Sequence, residues 1–306
     1  MTERYPRIRF DWSVDNERSV CVRESLSICF YMQRPHQEVA PALMSALEIY
    51  RQAIGLNSLQ WYPDSEGSWQ PLDDEGWEHN KRRLLNPRGA NLCLRETPGF
   101  VTGYEFRYHG LLLDEPPFRE EPGRTCAVAF WLPTEYLEAH GSARARELAL
   151  ELGSKLPFNS GHAGLSFYFT EDLLGHSDLV RDVCFRHPGM DMPAMESLPM
   201  RLGTRVKGAY WLTFLGSPVL DALGSAAGLR SHLHSEGTRV ESLGEGRAVV
   251  TLGEWPEAGD LQHRDTLPSY RELARVLEQW LYQAPRAPWS GFTNEDTRRW
   301  EHRLLD

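Results

Sequence analysis

Two stretches of this chain, WLPTEYLEAHGS at Trp131–Ser142 and FLGSPVLDALGS at Phe214–Ser225, read alike and begin 83 residues apart. Five of the twelve aligned positions are identical and a sixth keeps its acid: Leu132/Leu215, Leu137/Leu220, Ala139/Ala222, Gly141/Gly224, Ser142/Ser225 and Glu138/Asp221. Each stretch follows an apolar run typical of a buried strand, and a second short helix and another strand candidate come after it. The sequence therefore predicts a strand–helix–strand unit that is used twice.

Strand and helix patterns also alternate along the rest of the chain. Residues 19–32 alternate apolar and polar side chains, which predicts a long half-buried strand, and residues 37–54 have helical spacing. A short hairpin is predicted over 59–72 and a last helix over 269–281. We therefore predict an α/β or α+β protein with mixed sheets flanked by helices and two similar lobes built from strand–helix–strand units. A true duplication and a chance similarity of strand–turn–helix segments both stay open.

No low-complexity linker divides the chain, so we expect one continuous domain over residues 19–284. The predicted divisions are an N-terminal extension (1–18), a first part of the core with acidic loops (19–122), the first repeat unit (123–200), the second repeat unit (201–284) and a polar C-terminal tail (285–306). The tail carries Trp289, Phe292 and Trp300, so it either docks through these aromatic side chains or frays.

Charge and composition exclude several classes of protein. The chain has 306 residues, 41% of them hydrophobic, and a formal net charge of −10. That charge disfavours direct binding of nucleic acid or of an anionic membrane, and it favours a basic partner. We see no secretory signal and no apolar run long enough to cross a membrane. The five cysteines are odd in number and widely spaced, which is typical of reduced thiols. We expect a cytoplasmic protein.

Motifs that carry chemistry are weak. Cys184-x-x-His187, with Asp191 nearby, has ligand-like spacing but no second pair, and His232-Leu-His234 lies in a turn after a helix. The chain has no Gly-x-Ser-x-Gly elbow, no phosphate-binding loop and no Gly-x-Gly-x-x-Gly. We therefore predict no catalytic residue, no metal site and no cofactor.

The segment from Gln60 to Pro122 is strongly acidic, with 12 acids against seven bases, and aromatic residues are interleaved. Exposed acids beside exposed aromatic rings suit a basic protein target, because the charges steer the encounter and the rings anchor it. The alternative is an acidic face that only keeps the protein soluble. The residues predicted to bind a partner are Asp73, Asp74, Glu75, Asp114, Glu115, Glu120 and Glu121, with Trp69, Trp77 and Phe118 as anchors.

Three segments together resemble one known family. They are KGAYWLTFLGSPVLDALG at 207–224 with Gly228-Leu-Arg230 after it, RHPGMD at Arg186–Asp191, and FNSGHAGLSFY at Phe158–Tyr168. This combination is similar to the type VI secretion immunity family TsiV, and the resemblance covers roughly residues 20 to 282. Ser225 stands where the family's pattern has a second glycine. The shared motifs are structural, so they indicate the family more than a mechanism.

The resemblance implies a cytoplasmic antidote that binds and blocks a cognate nuclease toxin of the VRR class. A nuclease presents a basic, DNA-shaped cleft, which an acidic inhibitor can occupy in place of phosphates. We therefore predict an immunity protein that is not an enzyme, whose partner is a basic secreted toxin; its oligomeric state stays open. The alternatives are an enzyme with a site assembled from distant residues, such as His162, His187 or His232 beside a carboxylate, and a self-associating scaffold.

Overall fold

The computed structural model of the chain describes residues 5–14, 17–99, 101, 103–169, 176–244 and 246–306. In these residues eleven strands form one sheet. The strands are β1 (Arg9–Val14), β2 (Glu17–Met32), β3 (Trp61–Pro63), β4 (Trp69–Pro71), β5 (Ala90–Arg95), β6 (Glu105–Gly110), β7 (Cys126–Pro133), β8 (Ser160–Phe169), β9 (Leu212–Leu215), β10 (Thr238–Ser242) and β11 (Ala248–Leu252). The α-helices are α1 (His36–Ile54), α2 (Asp74–Leu84), α3 (Thr134–Lys155), α4 (His176–Arg186), α5 (Val219–Ala222), α6 (Ser225–Ser231), α7 (Pro268–Leu277) and α8 (Asn294–Glu301).

The long strand β2 organises the sheet. It pairs with β7 on one side and β8 on the other, and the strand order is β10-β11-β9-β8-β2-β7-β6-β5-β3-β4, with β1 also pairing with β2. These ladders are antiparallel. The predicted combination of strands and flanking helices is confirmed, and its strand–helix–strand units join a single continuous sheet.

The two repeat units have the same topology. In the first unit α3 connects β7 to β8, and β2 lies between those two strands. In the second unit α5 and α6 connect β9 to β10, and β11 lies between them. Because each inserted strand is antiparallel to both neighbours, the two strands of each unit run parallel to each other. Each unit is therefore a split βαβ arrangement.

The glycines shared by the repeats, Gly141 and Gly224, both lie at a break between two helical pieces. Gly141 interrupts α3 with non-helical backbone angles (φ 77°, ψ 166°), and Gly224 precedes α6 with φ 76° and ψ 34°. Positive φ is costly for a residue that has a Cβ atom, so glycine permits the break between two helical pieces in both units. The positive φ angle required at this position therefore explains why both repeat units have glycine there.

Replacing Gly141 by alanine is expected to lower the free energy of unfolding by about 1–3 kcal/mol, because its backbone angles belong almost only to glycine. A Cβ atom at Gly141 would meet nothing within 4 Å, so the loss comes from the backbone and not from a clash. Urea unfolding measures the effect. The matched control is Gly224→Asn, in the left-handed region that asparagine tolerates, with an expected loss below about 1 kcal/mol. Equal losses for both variants would contradict this explanation.

The two faces of the sheet differ in chemistry. On one face apolar side chains pack beneath α1 and α3; the ring of Tyr50 in α1, for example, lies 5.1 Å from that of Phe130. The other face carries polar side chains, including Glu105 and His162, and both are buried. Segment 187–211 covers this face, since Tyr210 stacks on His162 with ring centroids 4.3 Å apart. The protein therefore buries a polar layer as well as an apolar core.

The described residues near both ends of the chain, from Tyr5 and up to Asp306, are part of the fold. The predicted N-terminal extension contributes β1, which pairs with β2. The C-terminal tail docks, because Trp289, Phe292 and Trp300 are buried and the Trp289 indole nitrogen donates to the Pro193 carbonyl at 2.6 Å. Helix α8 in this tail begins with a capping box between Thr293 and Asp296. No helix in the ranges that the structure describes has both the length and the apolarity that a membrane crossing requires.

Candidate functional site

The first group of predicted acids lies at the start of α2. Asp73 is its N-cap residue, and the side chain accepts a hydrogen bond from the Gly76 amide at 2.9 Å. Asp74 and Glu75 follow in the first turn, and all three acids are exposed. Negative charge at this position is favourable to the helix dipole, so these acids have a structural role in α2 besides any contact with a partner.

The second group of predicted acids lies on the loop that leads from β6 to β7. Asp114 is half-buried and accepts a hydrogen bond from Gln37 at 2.7 Å, while Glu115, Glu120 and Glu121 are exposed. Glu121 forms an ion pair with Arg124 at 2.6 Å. Among the residues that the structure describes, Glu115 and Glu120 have no ion-pair partner, so their charges face solvent without local compensation.

The two acidic groups lie at opposite ends of α1. The loop contacts Gln37 near the start of this helix, whereas Trp77 of α2 packs on Arg51 near its end. Arg51 lies fourteen helical steps after Gln37, which corresponds to about 21 Å along α1 at about 1.5 Å per residue. The predicted acidic segment therefore forms two separate patches. We call them the helix patch (Asp73, Asp74 and Glu75) and the loop patch (Asp114, Glu115, Glu120 and Glu121).

The three predicted aromatic anchors are half-buried, and each has a cation of this chain over its ring. Arg95 lies over Trp69 at 5.3 Å, and Arg124 lies over Phe118 at 4.7 Å. Trp77 is covered by Arg51 at 3.7 Å and also contacts Lys81. Such cation–π contacts hold the rings in place, so any ring that anchors a partner does so with its remaining surface.

The structure also reveals buried carboxylates that sequence reasoning did not identify. Glu105 on β6 is fully buried and contacts Arg107, the Tyr168 hydroxyl and Arg95, whose Nε lies 2.7 Å from its carboxylate. Burial alone would raise the pKa of Glu105, but the charges of Arg107 and Arg95 outweigh it and lower that pKa. The alternation of Glu105, Arg107 and His109 is the only sequence signal, and it also fits an exposed strand face.

Asp191 is the centre of a second buried cluster. Its carboxylate accepts from the Tyr210 hydroxyl at 2.6 Å and from the Lys207 ammonium at 2.6 Å, and it lies 3.0 Å from Nε2 of His162. Burial opposes ionisation of Asp191, yet Lys207 and His162 lower its pKa below the ordinary value. Burial lowers the pKa of His162, so this ring is neutral at pH 7.

The position of this cluster is relevant to the alternative prediction of an enzyme that uses His162, His187 or His232 beside a carboxylate. His162 does lie beside a carboxylate, but its ring is 2% exposed and stacks between Tyr31 and Tyr210. His187 is also buried, with Nδ1 2.6 Å from the Gly259 carbonyl, and His232 is exposed at the end of α6. His162 is therefore enclosed by aromatic rings in this arrangement, and its polar contacts lie within the protein interior.

The residues considered as metal ligands do not converge. The Cys184 thiol donates to the Arg181 carbonyl, and His187 and Asp191 have the partners given above. His232 and His234 are both exposed. In the part of the chain that the structure describes, no three His, Cys, Asp or Glu side chains are arranged to hold a metal ion.

Comparison with known proteins places the chain in a family. The family model TsiV, described as type VI immunity for VRR-NUC, matches residues 42–304. The protein thus belongs to the TsiV family of type VI immunity proteins, as the sequence resemblance predicted. The fold is similar to that of a solved structure titled Pseudomonas aeruginosa T6SS protein PA0821, with a TM-score of 0.76, 16% identity, and coverage of 94% of this chain and 83% of that one. No curated protein sequence matched.

Proposed function

We propose that this protein is a cytoplasmic immunity protein that binds a cognate secreted nuclease toxin and blocks its DNA-binding cleft with an acidic surface. Membership of a family of immunity proteins for VRR-NUC supports a toxin as partner. The net charge of −10 supports a basic toxin, because charge complementarity accelerates encounter and suppresses wrong partners. In this role the protein acts as a stoichiometric binder and not as an enzyme.

The observation that carries the proposal is the exposed, unpaired charge of two residues of the loop patch. Glu115 and Glu120 are exposed, and neither has an ion-pair partner among the described residues. The acids of the helix patch, by contrast, stabilise the start of α2. Charges without a structural role are available to meet phosphate-binding cations on a nuclease. We therefore propose that the main contact with the toxin lies at the loop patch, with the helix patch near the other end of α1 as a second contact.

Reversing the loop patch with Glu115→Lys and Glu120→Lys is expected to slow association with the toxin about ten-fold or more at low salt. Dissociation should change less, and the difference should shrink at high salt because ions screen exposed charges. The toxin to test is the product of the neighbouring gene, first co-purified with the tagged protein. Association and dissociation rates are then measured by biolayer interferometry at two salt concentrations.

The chain offers matched variants for this test. Asp74→Lys with Glu75→Lys reverses the helix patch, and Glu236→Lys with Glu254→Lys reverses two exposed acids at the β10–β11 edge, far from both patches. The edge variant should associate at nearly the wild-type rate. If it slows as much as the loop variant, only net charge matters; if the loop variant binds normally at both salt concentrations, the proposed surface is wrong. A toxin that does not co-purify and stays active would overturn the immunity proposal toward that toxin.

A further inference from the structure

A cavity of about 370 Å³ lies between the polar face of the sheet and the C-terminal tail. Its wall includes Tyr210, Trp289 and Trp300, and the Arg303 guanidinium stacks on the Trp300 ring at 3.9 Å. Cavities of this size with apolar aromatic walls and a few polar groups are typical small-molecule sites. The proposed contact with a toxin at the loop and helix patches uses none of these residues.

The charge of the cavity is opposite to that of the protein. Its lining contains five cations and two carboxylates: Arg124, Arg201, Lys207, Arg286 and Arg303 against Glu196 and Glu301. Lys207 is neutralised by Asp191, and Arg124 is paired with Glu121. Arg201 and Arg286 are exposed at the rim, and neither forms an ion pair within the described ranges. A chain of net charge −10 thus keeps a positive site, which favours an anion.

Two buried polar atoms in the cavity wall have no hydrogen-bond partner in the described structure, namely Nη2 of Arg303 and Oε2 of Glu301. The other groups of these side chains are satisfied: Arg303 donates to the Pro188 and Trp300 carbonyls, and Glu301 accepts from the Ala284 amide. Buried polar atoms are normally paired with protein groups or ordered water, so this donor and this carboxyl oxygen are polar groups that a small ligand in the cavity can engage. Burial raises the pKa of Glu301 to about 7, which lets its protonated form donate near neutral pH.

We propose that this cavity binds a small organic carboxylate with a planar apolar body. The ligand's carboxylate meets the Arg303 guanidinium and the Glu301 carboxyl group, the rim arginines add long-range attraction, and the apolar body lies against the tryptophan rings. A singly charged carboxylate fits better than a doubly charged phosphate, because Glu301 repels added negative charge once it is ionised. The cavity shares Arg124 with the surroundings of the loop patch, but benzoate binding is measured without a toxin, so either proposal can fail alone.

Isothermal titration of the free protein with benzoate tests the proposal. We expect saturable 1:1 binding with a Kd of about 1 mM or tighter, a range that a ligand with so few atoms can reach. Acetate lacks the planar body, benzyl alcohol lacks the charge, and phenyl phosphate carries the extra charge. Each should bind about ten-fold more weakly than benzoate, a difference of about 1.4 kcal/mol. Absence of saturation by benzoate at 20 mM, or equal binding of acetate, would overturn the proposal.

Variants at the rim separate this site from general anion binding. Arg201→Gln with Arg286→Gln alters two exposed side chains and should weaken benzoate binding about ten-fold. The matched control, Arg88→Gln with Arg239→Gln, removes the same charge from exposed positions that do not line the cavity, and it should bind benzoate like the wild type. Equal weakening in both double variants would show that net charge alone attracts the ligand and would refute the site. Thermal unfolding confirms that each variant is folded.

Discussion

Replacing Glu105 by glutamine is expected to lower the free energy of unfolding by about 3–5 kcal/mol. Glu105 is fully buried in the described structure and is the shared counter-ion of Arg95 and Arg107. Glutamine keeps the shape but not the charge, so the guanidinium groups of Arg95 and Arg107 lose their shared buried counter-ion. Removing one partner of a buried ion pair is far more costly than the pair is stabilising, because the remaining charges have already lost their water.

Urea unfolding of wild type and variant measures this loss. The matched control is Glu196→Gln, since Glu196 also contacts Arg107, at 3.6 Å, but its side chain is 55% exposed. The control should change stability by less than about 0.5 kcal/mol, as most exposed ion pairs do. If Glu105→Gln costs no more than the control, the buried network is not a determinant of stability.

The same network shows the limit of what local sequence predicts. Residues 19–32 and the repeated unit were predicted because alternation and helical spacing are local properties, and the structure confirms strands β2, β7 and β8. The alternating Glu105, Arg107 and His109 pattern predicts one polar strand face, and polar faces are usually exposed. Here segment 187–211 covers that face, which is possible because the arginines neutralise Glu105. Burial of a charge thus depends on residues distant in sequence.

The arrangement of the predicted binding residues was also only partly predictable from the sequence. Sequence showed an acidic excess between Gln60 and Pro122, and the predicted acids of both patches are indeed largely exposed. It did not show that α1 separates them into two patches, because the packing of α2 and of the loop against opposite ends of that helix is a tertiary property. Likewise, no local pattern joins His162, Asp191 and Lys207. They meet only in the folded chain, where the Asp191 backbone bonds to Leu165 and Phe167 of β8, the strand that also carries His162.

Replacing Lys207 by methionine is expected to produce a loss of stability that depends on pH. At pH 8 the variant keeps an ionised Asp191 without its main counter-ion, and the loss should be about 3–5 kcal/mol. At pH 6 the loss should be smaller by about 1–2 kcal/mol. The reason is His162, which lies 3.0 Å from Asp191 and is neutral in the wild type partly because Lys207 disfavours its protonation.

Removing Lys207 deletes a positive neighbour, so the pKa of His162 must rise in the folded variant while its value in the unfolded chain stays ordinary. In wild type the pKa of His162 lies below its value in the unfolded chain, because burial and then Lys207 disfavour the imidazolium, so this ring costs stability as the pH falls towards 6. In the variant that cost is smaller because the pKa is depressed less, so the loss relative to wild type is smaller at pH 6 than at pH 8.

Urea unfolding at both pH values and NMR titration of the His162 ring test whether Lys207 controls the protonation of His162. The exposed Lys155, at the end of α3, provides the control Lys155→Met, which should cost little at either pH. A loss for Lys207→Met that is equal at pH 6 and pH 8, with an unshifted His162 titration, would show that the two cations are not coupled. A coupled result would mean that Asp191, Lys207 and His162 act as one electrostatic unit in the protein interior, in which the loss of one positive partner is partly offset by the other.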